Sequence, residues 1–205
     1  MQLKIAVFAS GGGSNFRAIV ENAHAYKVAL LVSNRSRIGA LEIARHYSIP
    51  QFILNPAAFA VQDAYVERLL EALREYQVNF IALAGYLRKI PAPVVRAFRG
   101  RMVNIHPAML PAFGGKGYYG MRVHEAVLKS GVQTTGATVH FVDEEYDRGP
   151  IILQRPVPVT AGDTPATLAR RVLEMEHQLY PETLHLIATG RVHLSGRTIT
   201  LKNSD

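Results

Sequence analysis

Asn104 and His106 carry the clearest chemistry in this chain. A short apolar run beginning Met102-Val103 reads as a buried strand, and the amide and imidazole sit just past its end. Pro107 and Pro111 then bar an immediate return to regular structure. Two residues apart, Asn104 and His106 share one face if the strand extends through them. An amide can polarise a carbonyl and an imidazole can move a proton, so the pair suits acyl-group chemistry. On its own, the same pair also fits turn chemistry beside a satisfied histidine.

A second feature, Ser10-Gly11-Gly12-Gly13-Ser14-Asn15, follows a strand-like run over 3–9. It precedes a helix predicted from 15 to about 23, capped by Ser14 or Asn15. Strand, glycine loop and helix start together make an anion site, because amides and dipole both point at the loop. The loop is not a P-loop, since the Lys-Ser/Thr pair is missing. Nor is it a full dinucleotide fingerprint, since Phe16 takes the third glycine's place. A tight turn that binds nothing is the plain alternative, and the three glycines with Ser and Asn favour phosphate.

The elements that must position these residues alternate. Strands are predicted at 28–33, 51–54 and 78–84, and helices at 39–47, at 64–76 and from Pro91 or Pro93 to about Phe98. The helix at 64–76 buries a stripe of Leu69, Leu70 and Leu73. Alternation of this kind argues for a parallel sheet whose ligands bind outside the C-terminal strand ends. Those ends carry the glycine loop, residues 86–90 and residues 104–106.

The second half differs. Residues 114–120 read as a mobile glycine-rich flap, followed by a helix over 121–129. The β-rich runs 134–142 and 151–159 are joined by 143–150 and predict an antiparallel pair. Asp163-Thr164-Pro165 opens a long helix with the stripe Leu168, Val172, Met175, Leu179, which Pro181 is expected to bend or interrupt. Gly196-Arg197 signals a hairpin between 192–195 and 198–201. The fold class is therefore α/β, a Rossmann-like open sheet. Its N-terminal half is parallel with helices on both faces, and its C-terminal half holds antiparallel strands and a long helix.

Composition narrows the class. The 205 residues fit one domain, and 23 basic against 16 acidic residues give a net charge of +7. Scattered arginines fit either a solvated surface or an anionic ligand drawn in by the positive field. Nucleic acid is not expected, because no homeodomain, zinc-finger or RRM pattern is found. Cysteine is absent, so disulfides and thiolate metal sites are excluded. His124-Glu125 fails the zincin pattern because Leu128 stands where the second histidine is required, and no metal is expected. No apolar run approaches the ~20 residues of a membrane span. The start shows no export signal, so a cytoplasmic protein without a membrane partner is expected.

Six segments then carry a resemblance in their order. They are Ser10-Gly11-Gly12-Gly13-Ser14-Asn15, Leu83-Ala84-Gly85-Tyr86-Leu87-Arg88, Asn104-Ile105-His106-Pro107 with Leu110-Pro111, Gly136-Ala137-Thr138-Val139-His140-Phe141-Val142, Asp147-Arg148-Gly149-Pro150 and Glu176-His177-Gln178-Leu179-Tyr180-Pro181. The set resembles the phosphoribosylglycinamide formyltransferase family over about 3–191. The Asn-x-His-Pro and Asp-x-Gly core is shared with other formyl-transfer enzymes. The Gly-Ser-Asn loop, the Glu-His-x-x-Tyr-Pro segment and the chain length are similar to the glycinamide branch.

The resemblance implies one domain over 1–205, with 1–105 as its phosphate-binding parallel half and 106–205 as its folate and catalytic half. It implies transfer of a formyl group from 10-formyltetrahydrofolate, a co-substrate, to the amine of glycinamide ribonucleotide, in a monomer or homodimer. Asn104, His106 and Asp147 would be catalytic, with Asp147 keeping His106 charged near neutral pH. Gly13, Ser14, Asn15, Glu176 and His140 would bind the ribonucleotide. Tyr86, Leu87, Arg88, Lys89, Ile90, Asn104, Val142, Asp143 and Asp147 would hold the folate. For Glu176 a solvated helix position is the commoner fate, and His140 fits a packed strand residue equally well. Rival readings are a formyltetrahydrofolate deformylase, an NADP-binding module with Arg35 on a 2′-phosphate, and a basic RNA-binding protein.

Overall fold

The computed structural model describes residues 2–202 of the chain. In order, it contains β1 (Leu3–Phe8), α1 (Ser14–Glu21), β2 (Tyr26–Ser33), α2 (Gly39–His46), β3 (Gln51–Ile53), a 3-10 turn (Pro56–Ala58), α3 (Gln62–Glu75) and β4 (Phe80–Leu83). There follow α4 (Ala92–Ala97), β5 (Met102–His106), α5 (Met121–Ser130), β6 (Thr134–Phe141), β7 (Ile151–Pro158), α6 (Pro165–Ala188), β8 (Val192–Ser195) and β9 (Thr198–Leu201). The strand order is β3-β2-β1-β4-β5-β6-β7, with β8-β9 as a separate pair. The pairs β1–β2, β1–β4 and β2–β3 are parallel, whereas β6–β7 is antiparallel. This is the α/β, Rossmann-like open sheet expected, parallel first and antiparallel later. Two compact units divide within β5, one ending at Val103 and the other beginning at Asn104.

In the first unit, Ile5, Ala6, Val7 and Phe8 of β1 are fully buried. Such unbroken apolar strands belong to sheets covered on both faces. Phe16 and Ile19 of α1 and Leu69 and Leu73 of α3 are also buried, each worth roughly 1.5–3 kcal/mol of transfer free energy. The stripe of α3 is rotated slightly from expectation, because Tyr65, Val66 and Ala72 join it while Leu70 is half-buried.

Four local expectations are corrected. The helix cap of α1 is Gly13, left-handed at φ 83°, with no side-chain cap from Ser14 or Asn15. Strand β5 runs through His106, so Asn104 and His106 lie within it rather than past its end. Pro181 does not interrupt α6, a single 24-residue helix. A mid-helix proline removes a backbone bond, but Leu179, Tyr180, Thr183 and Leu184 around it are buried and α6 packs on α5, β6 and β7. Packing there outweighs the local preference. Finally, Met175 is half-buried whereas its neighbour Glu176 is buried, against the usual fate of a helical glutamate. Thr164 caps α6 reciprocally with Thr167, as its sequence start suggests. Among the described residues, no helix is long and apolar enough to cross a membrane.

Candidate active site

In the second unit, β5, β6 and the loop between β6 and β7 bring four polar side chains together. Asn104 Nδ2 lies 3.2 Å from His140 Nε2. His140 Nδ1 lies 2.8 Å from the Phe141 carbonyl oxygen. A carbonyl can only accept, so Nδ1 carries the hydrogen and Nε2 accepts from Asn104. Asp147 stands between two imidazoles: its Oδ1 is 3.6 Å from His140 Nε2 and its Oδ2 is 3.6 Å from His106 Nδ1. His106 Nε2 is 2.8 Å from the Phe113 carbonyl oxygen, to which it donates, and the Gly115 N–H donates to Asp147 Oδ2 at 2.9 Å.

Local backbone features produce this arrangement. The β6–β7 register shifts between Val139 and His140, and such irregularities re-aim a side chain. Asp147 adopts a left-handed backbone, φ 55°. Two residues on, a Cβ on Gly149 would meet the Phe141 carbonyl oxygen at 1.7 Å. The Asp-x-Gly spacing is thus a packing requirement of the strand junction. A Cβ on Gly114 would meet Leu110 Cδ2 at 2.3 Å, which brings the start of the flap close under the site. The Leu110–Pro111 bond is cis.

Burial dominates the electrostatics. His106 and His140 are 3% and 2% exposed. Burial pushes the His106 imidazole below its ordinary pKa, outweighing the opposing pull of Asp147 and of the Phe113 bond. The expectation that Asp147 keeps His106 charged near neutral pH is therefore corrected: in this state desolvation wins. For Asp147, burial alone would raise the pKa, but the His140 contact, the charge of His106 and the Gly115 N–H together bring it below its ordinary value. The carboxylate stays ionised. Among the described residues, no group of three or more His, Cys, Asp or Glu could hold a metal ion.

Sequence reasoning missed several partners. The Phe113 carbonyl, just before the segment read as a mobile flap, accepts from His106, and the Gly115 N–H, within that segment, donates to Asp147. Both have left-handed backbones, φ 55° and 97°, and the glycine run signals only that of Gly115. His124, dismissed as a metal ligand, is buried on α5, and its Nδ1 has no hydrogen-bond partner. Burial first, and the charge of His106 second, push its pKa down. Glu176 is buried on α6, while Val142 and Asp143 follow β6 and are half-buried.

The first unit holds the other candidates. Gly13 is the left-handed residue from which α1 starts, and a Cβ on it would lie 2.7 Å from Ala40 Cα. The first helical bond of α1 runs from the Arg17 N–H to the Gly13 carbonyl, 2.8 Å. Ser14 and Asn15 open the helix, where main-chain amides are offered outward. Ser10, whose role the sequence did not reveal, ties this loop to the one after β4. Its hydroxyl donates to Asn34 Oδ1 at 2.6 Å and accepts from the Leu87 N–H at 2.9 Å, while its own N–H donates to the Gly85 carbonyl at 3.2 Å. Tyr86 packs edge-on against Phe8 and touches the Tyr65 hydroxyl at 3.4 Å. Ile90 is buried, whereas Leu87, Arg88 and Lys89 are exposed.

Comparison with known proteins places the chain. The formyl transferase family model matches residues 3–184. A phosphoribosylglycinamide formyltransferase of Bacillus subtilis is 40% identical over 88% of this chain and 92% of its own length. The chain belongs to the formyl transferase family, among the phosphoribosylglycinamide formyltransferases. A chloroplastic phosphoribosylglycinamide formyltransferase of Vigna unguiculata is 48% identical over 92% of this chain. The chain spans 62% of that plant protein's length. The crystal structure of glycinamide ribonucleotide transformylase 1 from Symbiobacterium toebii superposes with a TM-score of 0.91, at 39% identity, over 98% of this chain and 95% of that one. The family match takes in the four-residue cluster and ends before β8 and β9.

Proposed function

We propose that this protein transfers the formyl group of 10-formyltetrahydrofolate to the primary amine of glycinamide ribonucleotide, a step of purine (IMP) biosynthesis. The observation that carries the proposal is one ionised, half-buried carboxylate shared by two buried imidazoles, with a carboxamide bonded to the second. The names of the similar proteins supply the substrates.

The amine attacks the formyl carbon, a C–N bond forms, and the carbonyl electrons move onto oxygen. Asn104 Nδ2–H, which rests on His140, and His106 Nε2–H, which rests on Phe113, are the donors available to that oxyanion. His106 is held neutral by burial, so it can accept the proton that the amine loses. Asp147 stabilises the imidazolium so formed. When the intermediate collapses, the carbonyl re-forms, the bond to the folate N10 breaks, and that nitrogen takes the proton. Gly13, Ser14 and Asn15 would hold the phosphate, and Glu176 the ribose hydroxyls, with His140 near the amine. Residues 86–90, Asn104, Val142, Asp143 and Asp147 would hold the folate.

We further assign the whole chain to one functional domain, with 1–105 serving the phosphate and 106–205 the folate and the chemistry. It would act in the cytoplasm as a monomer or homodimer. The test is acceptor dependence. Tetrahydrofolate should appear from 10-formyltetrahydrofolate when glycinamide ribonucleotide is present and stop when it is omitted. Equal rates with and without the ribonucleotide would mean that water is the acceptor, and the proposal would be wrong.

A further inference from the structure

The loop that carries Asp147 joins β6 to β7, and a single side chain from elsewhere in the second unit holds both its ends. Arg197 lies in the turn of the β8–β9 hairpin, whose last pair is Ser195 with Thr198 and whose Gly196 is left-handed at φ 59°. One guanidinium nitrogen donates to Asp143 Oδ2 at 3.4 Å, and the other donates to the Arg148 carbonyl oxygen. Asp143 uses its other oxygen to accept the Glu145 N–H at 3.0 Å. A guanidinium is planar and offers its donors in fixed geometry, so Arg197 closes residues 143–148 into a ring.

Asp147 lies inside that ring. Its own backbone is in the sparsely populated left-handed region, which is strained for a non-glycine residue and persists only when the surroundings over-determine it. Downstream, Gly149 is pressed on the Phe141 carbonyl. The Arg148 carbonyl, in the peptide just before Gly149, is the group that Arg197 holds. The Asp143 pair alone would matter little, since Arg197 is 71% exposed and ion pairs at the surface contribute little. The second bond, to the main chain beside the catalytic aspartate, is what gives the contact a consequence.

We infer that Arg197 is a positioning residue, which keeps the 143–148 loop in the shape that presents Asp147 to His106 and His140. The inference rests on the function proposed above and extends the working site to a hairpin beyond the family match. Misplacing a reacting group by about 1 Å can cost as much as ~10²-fold in rate, so a loosened loop shows in turnover more than in stability.

The experiment compares wild type, Arg197→Ala and Arg197→Lys as full chains. Steady-state kinetics with each substrate varied are read beside melting temperature and hydrogen–deuterium exchange over 143–149. Arg197→Ala should lower kcat by about three- to thirtyfold, with the ribonucleotide KM changed by less than about twofold. Exchange over 143–149 should rise, the melting temperature should move by no more than about 2 °C, and Arg197→Lys should recover part of the rate. An Arg197→Ala enzyme with wild-type kcat and wild-type exchange overturns the inference. So does a rate loss that merely tracks a loss of folded protein. A wild type that transfers no formyl group overturns the functional reading instead, and the exchange comparison still decides whether Arg197 orders the loop.

Discussion

Asp147 faces two imidazoles at equal distance, and the surroundings of each decide its task. His106 donates its Nε2 hydrogen to Phe113, leaving Nδ1 towards the carboxylate, and His140 donates Nδ1 to Phe141, leaving Nε2 to accept from Asn104. Replacing Asn104 with Ala should therefore cost ~10²–10³ in turnover, the usual loss of one oxyanion donor, with the melting temperature little changed. A stopped-time formyl transfer assay reads it. The histidines also set a pH dependence of stability. Burial places His106 and His124 below the ordinary 6.5 in the folded state. Between the folded value and 6.5 the unfolded chain then binds more protons, so stability falls as pH falls through that window and is full above it. The melting temperature should drop from about pH 7.5 to about pH 5.5, and His124→Gln should flatten the drop. A wild-type profile flat over that range would contradict the burial argument. Asn104 and His106 were legible from type and spacing, because a strand puts alternate residues on one face. The partners Phe113 and Gly115 were not, since they contribute main-chain groups that no side-chain pattern announces.

The elements were legible wherever hydrophobic period and local stop signals agreed. The helix at 39–46, the antiparallel pair after residue 134, the capped long helix and the final hairpin lie close to where the sequence predicts them. The start of α1 was misread because Ser14 and Asn15 are good capping residues, while Gly13 wins through contact with Ala40, a tertiary fact. Gly13→Ala should thus meet both a strained backbone and a clash, destabilising the protein by ~1–3 kcal/mol. Denaturant unfolding measures that, and the ribonucleotide KM should rise with it. Thr164→Ala supplies a contrast: it removes the α6 cap and should cost about 1 kcal/mol while leaving kcat as it was. The interruption expected at Pro181 failed for a like reason, since a local breaker is overruled by a buried helix face.

For the whole molecule, the order of six short motifs was more telling than any one of them, and the family match over residues 3–184 takes in all six. What order could not convey is desolvation, which reverses the expected charge of His106. Net charge of +7 is legible directly, and both proposed substrates are anions. Raising ionic strength should therefore lower kcat/KM for both, as screening weakens the long-range attraction. A kcat/KM unchanged by salt would assign the charge to solubility alone. The central claim is that the carboxylate shared by His106 and His140 makes this cluster the centre of formyl transfer. Turnover of Asp147→Asn at saturating substrates, measured beside its melting temperature, tests that most directly. The account predicts a fall of at least ~10²-fold in a protein that still melts cooperatively near the wild-type temperature, whereas near-normal turnover in the folded variant would contradict it.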